Sequence, residues 1–280
     1  VQLHYKRNIF LISQFSFGWL KKMFQMGKYL TLMGIVGAIT RSLEKMIIGI
    51  YLSPLFISYY EIIWKIPNTL KNIFSWLDAV IIPATSELAK KKNIKLIRKI
   101  FEKTINIKII FLYPLIIIVF FFANDIIRIW ISEEYVFLTK YLKILLIWNI
   151  MMPIANHGSK YLMGLNKSMI HMTKYSIITN FLKILLIILL IEKFSLLALV
   201  FGYISIIITA PYIFYVVCKT IELKKWLVYK NVIVVSSFSS VIIYSFYLIH
   251  NSIGLSDNVL LVELSILIFI IYYLLFKIIL

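Results

Sequence analysis

Residues 37–50 read GAITRSLEKMIIGI. Both flanks are apolar, yet Arg41, Glu44 and Lys45 stand at i, i+3 and i+4. On a helix that spacing puts all three on one face. An ionisable group at bilayer depth costs about 2.5–3.5 kcal/mol on insertion scales, so it faces a partner or a hydrated cavity and not lipid. Whether this segment lies in a membrane therefore decides both the fold and the meaning of its charges.

The surroundings answer for a membrane. Of 280 residues, 61% are hydrophobic and only 15% charged, against about 45–50% and 25% in soluble domains. The mean hydropathy is +0.92. Eight apolar runs are each long enough for a hydrocarbon core of about 30 Å; they fall near residues 29–50, 57–86, 107–130, 139–163, 175–191, 196–217, 231–249 and 258–276. The expectation is an all-α integral membrane protein with about eight transmembrane helices, because only helices or closed barrels satisfy the backbone in lipid.

The net charge of +18 suggests nucleic acid or anionic lipid. Its distribution favours lipid. Lys6, Arg7, Lys21, Lys22 and Lys28 precede the first run, and AKKKNIKLIRKIFEK (residues 89–103) follows the second. Lys167 and Lys174 follow the fourth run, Lys219, Lys224, Lys225 and Lys230 the sixth, and Lys277 the last. The alternate connectors hold only Lys193. By the positive-inside rule both termini face the cytoplasm. No basic soluble module exists to bind nucleic acid. The basic connector, with Ile94, Ile97, Ile100 and Phe101 at helical spacing, reads either as an amphipathic helix on anionic lipid or as a solvated loop. The chain starts with Val, and a portion of a longer protein is expected.

Polar stripes recur inside these runs. Glu61, Lys65, Asn68, Asn72 and Ser75 follow one another every three or four residues, flanked by Lys71 and Asp78. Asn149, Pro153, Asn156 and Lys160 share a face of the fourth run, with His157 beside them, and Pro153 invites a kink in mid-span. Ser176, Asn180 and Lys183 line up in the fifth. Glu44 can pair with Arg41, leaving Lys45 in excess. Cations outnumber carboxylates, so the assembled stripes would enclose a hydrated, net-positive cavity suited to an anion. The competing reading is a set of interhelical hydrogen bonds and ion pairs that only hold the bundle together.

Reaction chemistry is not indicated, and no enzyme is expected. His4, His157, His171 and His250 lack metal spacing, and Cys218 is the sole cysteine. No cofactor or metal is implied. Nucleophile-elbow, P-loop and dinucleotide signatures are missing. Asp125 and Arg128 read as an ion pair at the rim of the third run.

The order of three segments resembles the second half of the polysaccharide-exporter family, the O-antigen and lipid-linked oligosaccharide flippases of the multidrug/oligosaccharidyl-lipid/polysaccharide superfamily. They are KMIIGIYLSPLFISYYEIIWKIPN (45–68), IIPATSELAKKKN (81–93) and FANDIIRIWISEEYVFLTKYLKILLIWN (122–149). Pro83 and Ser86 match the family's P-x-x-S, and Phe122, Ala123, Ile126, Ile127 and Trp130 its FA-x-x-I-I-x-x-W. The family's acid before IIG is replaced by Glu44-Lys45, and its Gly before Tyr by Ser58 or Tyr59.

The resemblance covers roughly residues 28–220. It implies a MATE-like bundle of two lobes around a central cationic cavity that opens alternately to each side. This chain would be the C-terminal lobe, residues 29–217, preceded by a cytoplasmic segment 1–28 and followed by two extra helices in 218–280. A missing N-terminal lobe or a second copy would complete it, in a bacterial inner membrane. Arg41 and Lys45 would meet the diphosphate of a polyprenyl-linked oligosaccharide, with Lys65, Lys160 and Lys183 adding positive charge. Glu44 would tune them or join in ion coupling, Glu61 would line the substrate site, and Asn68, Asn72, Asn156 and Asn180 would bond sugar hydroxyls. Anionic lipid would meet the cytoplasmic basic loops. A multidrug or cation antiporter of the same fold, or a non-transporting scaffold, are the other functions weighed.

Overall fold

The computed structural model describes residues 17–73, 75–148, 150, 152–165 and 169–253, and within the C-terminal stretch 263, 264, 266–268, 270–272 and 274. Every regular element among them is helical. In chain order they are α1 (Phe17–Tyr51), α2 (Pro54–Ile73), α3 (Ser75–Lys90), α4 (Ile94–Phe121), α5 (Ala123–Trp130), a 3-10 turn (Glu133–Leu138), α6 (Thr139–Trp148), α7 (Met152–Leu165), α8 (Met169–Phe194), α9 (Leu196–Gly202), α10 (Ile204–Ile221) and α11 (Lys225–Ile253).

Three described stretches are long and apolar enough to cross a membrane by themselves: Ile94–Phe121, Leu196–Ile221 and Val228–His250. Glu133–Trp148 with Pro153–Leu165 makes a fourth if the pair, bent by 45°, is one span. The expected kink thus falls where Pro153 removes a backbone donor. The runs expected at 29–50, 57–86 and 175–191 are helical too, but they carry the polar stripes and depend on burying them. The run 57–86 is divided between α2 and α3. The last run, 258–276, lies mostly outside the described residues; its Glu263 meets His250 Nδ1 at 3.2 Å.

Residues 17–28 form the first turns of the 35-residue α1. One expectation changes. The basic connector is neither a surface helix nor a loop beyond its first residues. Asn93 caps α4, its side chain accepting from Leu96 N at 3.1 Å, which supplies one of the orphan donors of a helix start. From there α4 runs unbroken to Phe121. Ile97, Phe101, Ile105 and Ile109 are fully buried, one per turn. The apolar face of the connector therefore packs against protein, and Lys91, Lys92, Lys95 and Lys99 are left exposed. Arg98 Nη1 donates to Glu222 O at 2.9 Å, closing the C-terminal end of α10.

α4 is central. Its Phe101 meets Tyr161 of α7 edge-on at 4.9 Å between ring centres, and Thr104 Oγ1 lies 2.9 Å from both His157 Nε2 and Tyr161 Oη. α11 runs along α4, where Asn231 Nδ2 donates to Asn106 Oδ1 at 2.8 Å. Small residues set the closest helix approaches. A Cβ on Gly164 of α7 would stand 2.8 Å from Ile82 O of α3, and one on Gly202 would stand 2.8 Å from Ile187 Cγ1 of α8. Such contacts let backbones close in where lipid provides no hydrophobic drive between helices. At the far end of α5, Arg128 Nη2 pairs with Asp125 Oδ1 at 2.8 Å, as the i, i+3 spacing suggested.

Candidate functional site

α1 and α2 form a hairpin whose connection lies at residues 52 and 53. The polar faces of both helices turn toward α8, Asn156 of α7 and the α9–α10 junction, and enclose a cavity of about 750 Å³. The opening segment supplies one wall, with Gly37, Ala38, Thr40, Arg41, Ser42, Glu44 and Lys45. The polar stripe of α2 supplies the next, from Tyr60 to Lys71, and α8 contributes Tyr175, Ser176, Thr179, Asn180 and Lys183. The stripes of α1, α2 and α8 thus converge, because no other environment in an apolar bundle accommodates them.

The ion pairs differ from those that spacing suggested. Glu44, 2% exposed, pairs across helices with the buried Lys183 and not with Arg41 on its own helix. Tyr60 Oη donates to Glu44 Oε2 at 2.5 Å and lies 3.0 Å from Tyr203 Oη. Lys183 Nζ also sits 3.7 Å from the centre of the Tyr203 ring, a cation–π contact. One carboxylate, one ammonium and two phenols therefore form a closed buried network joining α1, α2, α8 and the α9–α10 junction. Such a network is costly to leave half satisfied. Lys45 pairs with Glu61 at 2.7 Å, both side chains about half exposed.

The two carboxylates of the cavity are thus each matched by a lysine. Arg41, Lys65 and Lys71 remain, and among the described residues no carboxylate lies within ion-pair reach of them. The cavity keeps a net positive charge, as its sequence implied. Its polarity is also graded. Glu44 and Glu61 stand about two helical turns from the hairpin connection, Arg41 and Lys65 about three, and Lys71 nearly five, by helix geometry. The carboxylates gather at one end and the unmatched cations toward the other.

Nine of the eleven expected site residues line the cavity: Arg41, Glu44, Lys45, Glu61, Lys65, Asn68, Asn156, Asn180 and Lys183. Asn72 and Lys160 do not. Asn72 shares the face of Lys65 and Asn68 but is exposed one turn beyond Asn68, outside the cavity lining. Lys160 sits a turn beyond Asn156 on α7, half-buried, though near enough to Lys71 to act on its charge. Asn180 is also less free than expected, since its Nδ2 donates to Ser176 O of its own helix at 2.7 Å. Ser75 and Asp78 have side chains outside the described set, and Asn149 is wholly outside it.

Sequence reasoning missed Tyr60, Trp64, Tyr175, Thr179 and Tyr203, and placed Lys71 only as a flank. The signal for three of these was present. Tyr60, Trp64, Asn68 and Lys71 recur at helical spacing beside the charged stripe. Tyr203, at the α9–α10 junction, carried none. Among the described residues no three His, Cys, Asp or Glu side chains gather to hold a metal.

Comparison with known proteins adds two findings. Residues 3–140, close to half of the chain, match the family described as "Polysaccharide biosynthesis protein". The structure is similar to the solved structure titled "Lipid II flippase MurJ, inward closed conformation", with a TM-score of 0.71 over 94% of this chain and 15% sequence identity. This chain spans 55% of that protein's length. No curated protein matches. Nearly half of this all-α membrane protein thus matches a polysaccharide biosynthesis family, and its fold is the one seen in that flippase structure.

Proposed function

We propose that the chain is one lobe of a flippase that moves a polyprenyl-diphosphate-linked oligosaccharide across a bacterial inner membrane for surface polysaccharide or O-antigen assembly. The observation that carries this reading is the set of three cations, Arg41, Lys65 and Lys71, without a carboxylate partner among the described residues, on the wall of one cavity in an apolar bundle. Three like charges on one wall attract an anion, each offering a charge-assisted hydrogen bond. The resemblance to a lipid II flippase supports a lipid-linked anion. A missing N-terminal lobe, or a second copy, would close the cavity from the other side. Both termini would face the cytoplasm, with the exposed Lys90, Lys91, Lys92, Lys95 and Lys99 against anionic lipid.

A cation antiporter would need a free carboxylate in the cavity. Both Glu44 and Glu61 are already matched by fixed ammonium groups, which speaks against that reading. A pure scaffold would leave no unmatched cations.

The test is calorimetric titration of the purified chain, in detergent, with geranyl diphosphate and with a tetraalkylammonium ion. Saturable binding of the diphosphate alone is expected. Binding of the cation alone, or of neither, would overturn the proposal.

A further inference from the structure

The cavity has an aromatic patch, level with Arg41 and Lys65 and about two helical turns from Lys71. Trp64 of α2 stacks on Tyr203, with ring centres 5.0 Å apart and planes inclined by 29°. Trp64 lines the cavity and is only partly buried, whereas Tyr203 is 3% exposed. Tyr203 is held by the Lys183 ammonium, which lies beside the pair at 3.7 Å from the Tyr203 ring centre and 5.8 Å from that of Trp64, and at its hydroxyl by Tyr60, which Glu44 holds in turn. Lys183, expected to bind substrate, lines the cavity but is also bonded to Glu44 and lies against both rings of the aromatic pair. The buried ion pair thus helps to hold a flat apolar surface at the cavity wall.

Lys71 lies seven residues after Trp64 on the same helix, or roughly 10 Å along the axis, and Arg41 is near enough to Lys71 to act on its charge. A ring seated on Trp64 would therefore stand about one diphosphate away from Lys71, with Arg41 and Lys65 at its own level. Aromatic faces suit the C–H face of a sugar ring, and neutral hydroxyl partners are at hand in Tyr175, Thr179 and Asn68.

The geometry points to Trp64, backed by Tyr203 and positioned by Lys183, as the surface that stacks on the sugar joined directly to the diphosphate. The cavity then reads the first sugar of its substrate and not the diphosphate alone. This rests on the proposed binding of a diphosphate-linked glycan in the same cavity.

The test compares two ligands that differ only in the sugar, geranyl diphosphate and geranyl-diphosphate-linked hexose, by titration of the purified 280-residue chain and of two variants. The wild-type chain should bind the sugar-bearing ligand more tightly. Trp64→Leu should weaken that ligand roughly three- to tenfold, the scale of one aromatic contact, and leave geranyl diphosphate unchanged. Trp64→Phe should keep most of the preference. Equal affinity of the wild-type chain for both ligands overturns the inference and leaves the diphosphate site standing. Equal loss of both ligands in Trp64→Leu makes the residue structural and also overturns it. If the wild-type chain binds neither ligand, the functional proposal itself fails. Should Trp64→Leu not fold, the wild-type preference and Trp64→Phe still decide.

Discussion

Lys183 and Tyr203 stand face to face inside the bundle, the ammonium 3.7 Å from the ring centre. With Glu44 on its other side, the lysine is enclosed by protein, and the positive charge of the cavity comes from other residues.

Breaking the buried pair from one side should be worse than removing it whole. Lys183→Met leaves the Glu44 carboxylate without its ammonium, and Glu44→Gln strands the lysine. Either change should cost about 3–5 kcal/mol, seen as a large fall in the thermal midpoint of the detergent-purified chain. The double variant should lose far less than the sum of the two, since no charge is then left unpaired. Additive losses would show that the two side chains act independently.

Among the cavity lysines, position predicts which matter for an anion. Arg41→Gln and Lys71→Gln should each lower affinity for a prenyl diphosphate roughly ten- to hundredfold, the worth of a charge-assisted hydrogen bond at about 1.5–3 kcal/mol. Lys45→Gln should lower it less, because Lys45 already shares its charge with Glu61 at 2.7 Å. Titration calorimetry of the three variants gives the ranking, and a Lys45 effect equal to that of Arg41 would contradict it.

Asn68 and Asn72 make a matched pair of controls. Both were read from the same stripe, but only Asn68 lines the cavity. Asn68→Ala should weaken a diphosphate-linked sugar severalfold, about 1 kcal/mol for one neutral hydrogen bond, while Asn72→Ala should leave binding unchanged. The same titration separates them.

The basic stretch after α3 should behave as the start of a packed helix. Phe101→Ala should cost about 3–5 kcal/mol, because its ring is fully buried against Tyr161 and His157. Lys95→Ala, at an exposed position, should leave stability nearly unchanged. Thermal melting of the two variants checks this, and a stable Phe101→Ala chain would restore the loop reading.

Orientation can be read with single cysteines in a Cys218→Ala background. Probes at Glu133 or Glu134 should react with an impermeant maleimide added to intact cells, and probes at Lys91 or Lys92 should not. Reversed labelling would invert the proposed topology.

The sequence by itself determined that this is a helical membrane bundle, that polar stripes on α1, α2 and α8 must be hidden from lipid, and that the hidden space is positive. Those conclusions rest on the cost of exposing charge and backbone to hydrocarbon, which any arrangement of the chain must respect. They also sufficed to name nine residues that line one cavity. Partner choice was decided only by the tertiary structure. Local spacing offers Arg41 to Glu44, but packing of α1 on α8 brings in Lys183 from far along the chain, and two buried tyrosines complete its enclosure. The same holds for Trp64, whose helical position was legible but whose stacking partner Tyr203 was not. It holds for residues 94–101 too, where the alternation of charge and isoleucine left open whether lipid, water or protein covered the apolar side. Periodicity specifies which residues share a face, whereas the identity of what meets that face depends on contacts between distant segments, and those are made only when the helices pack.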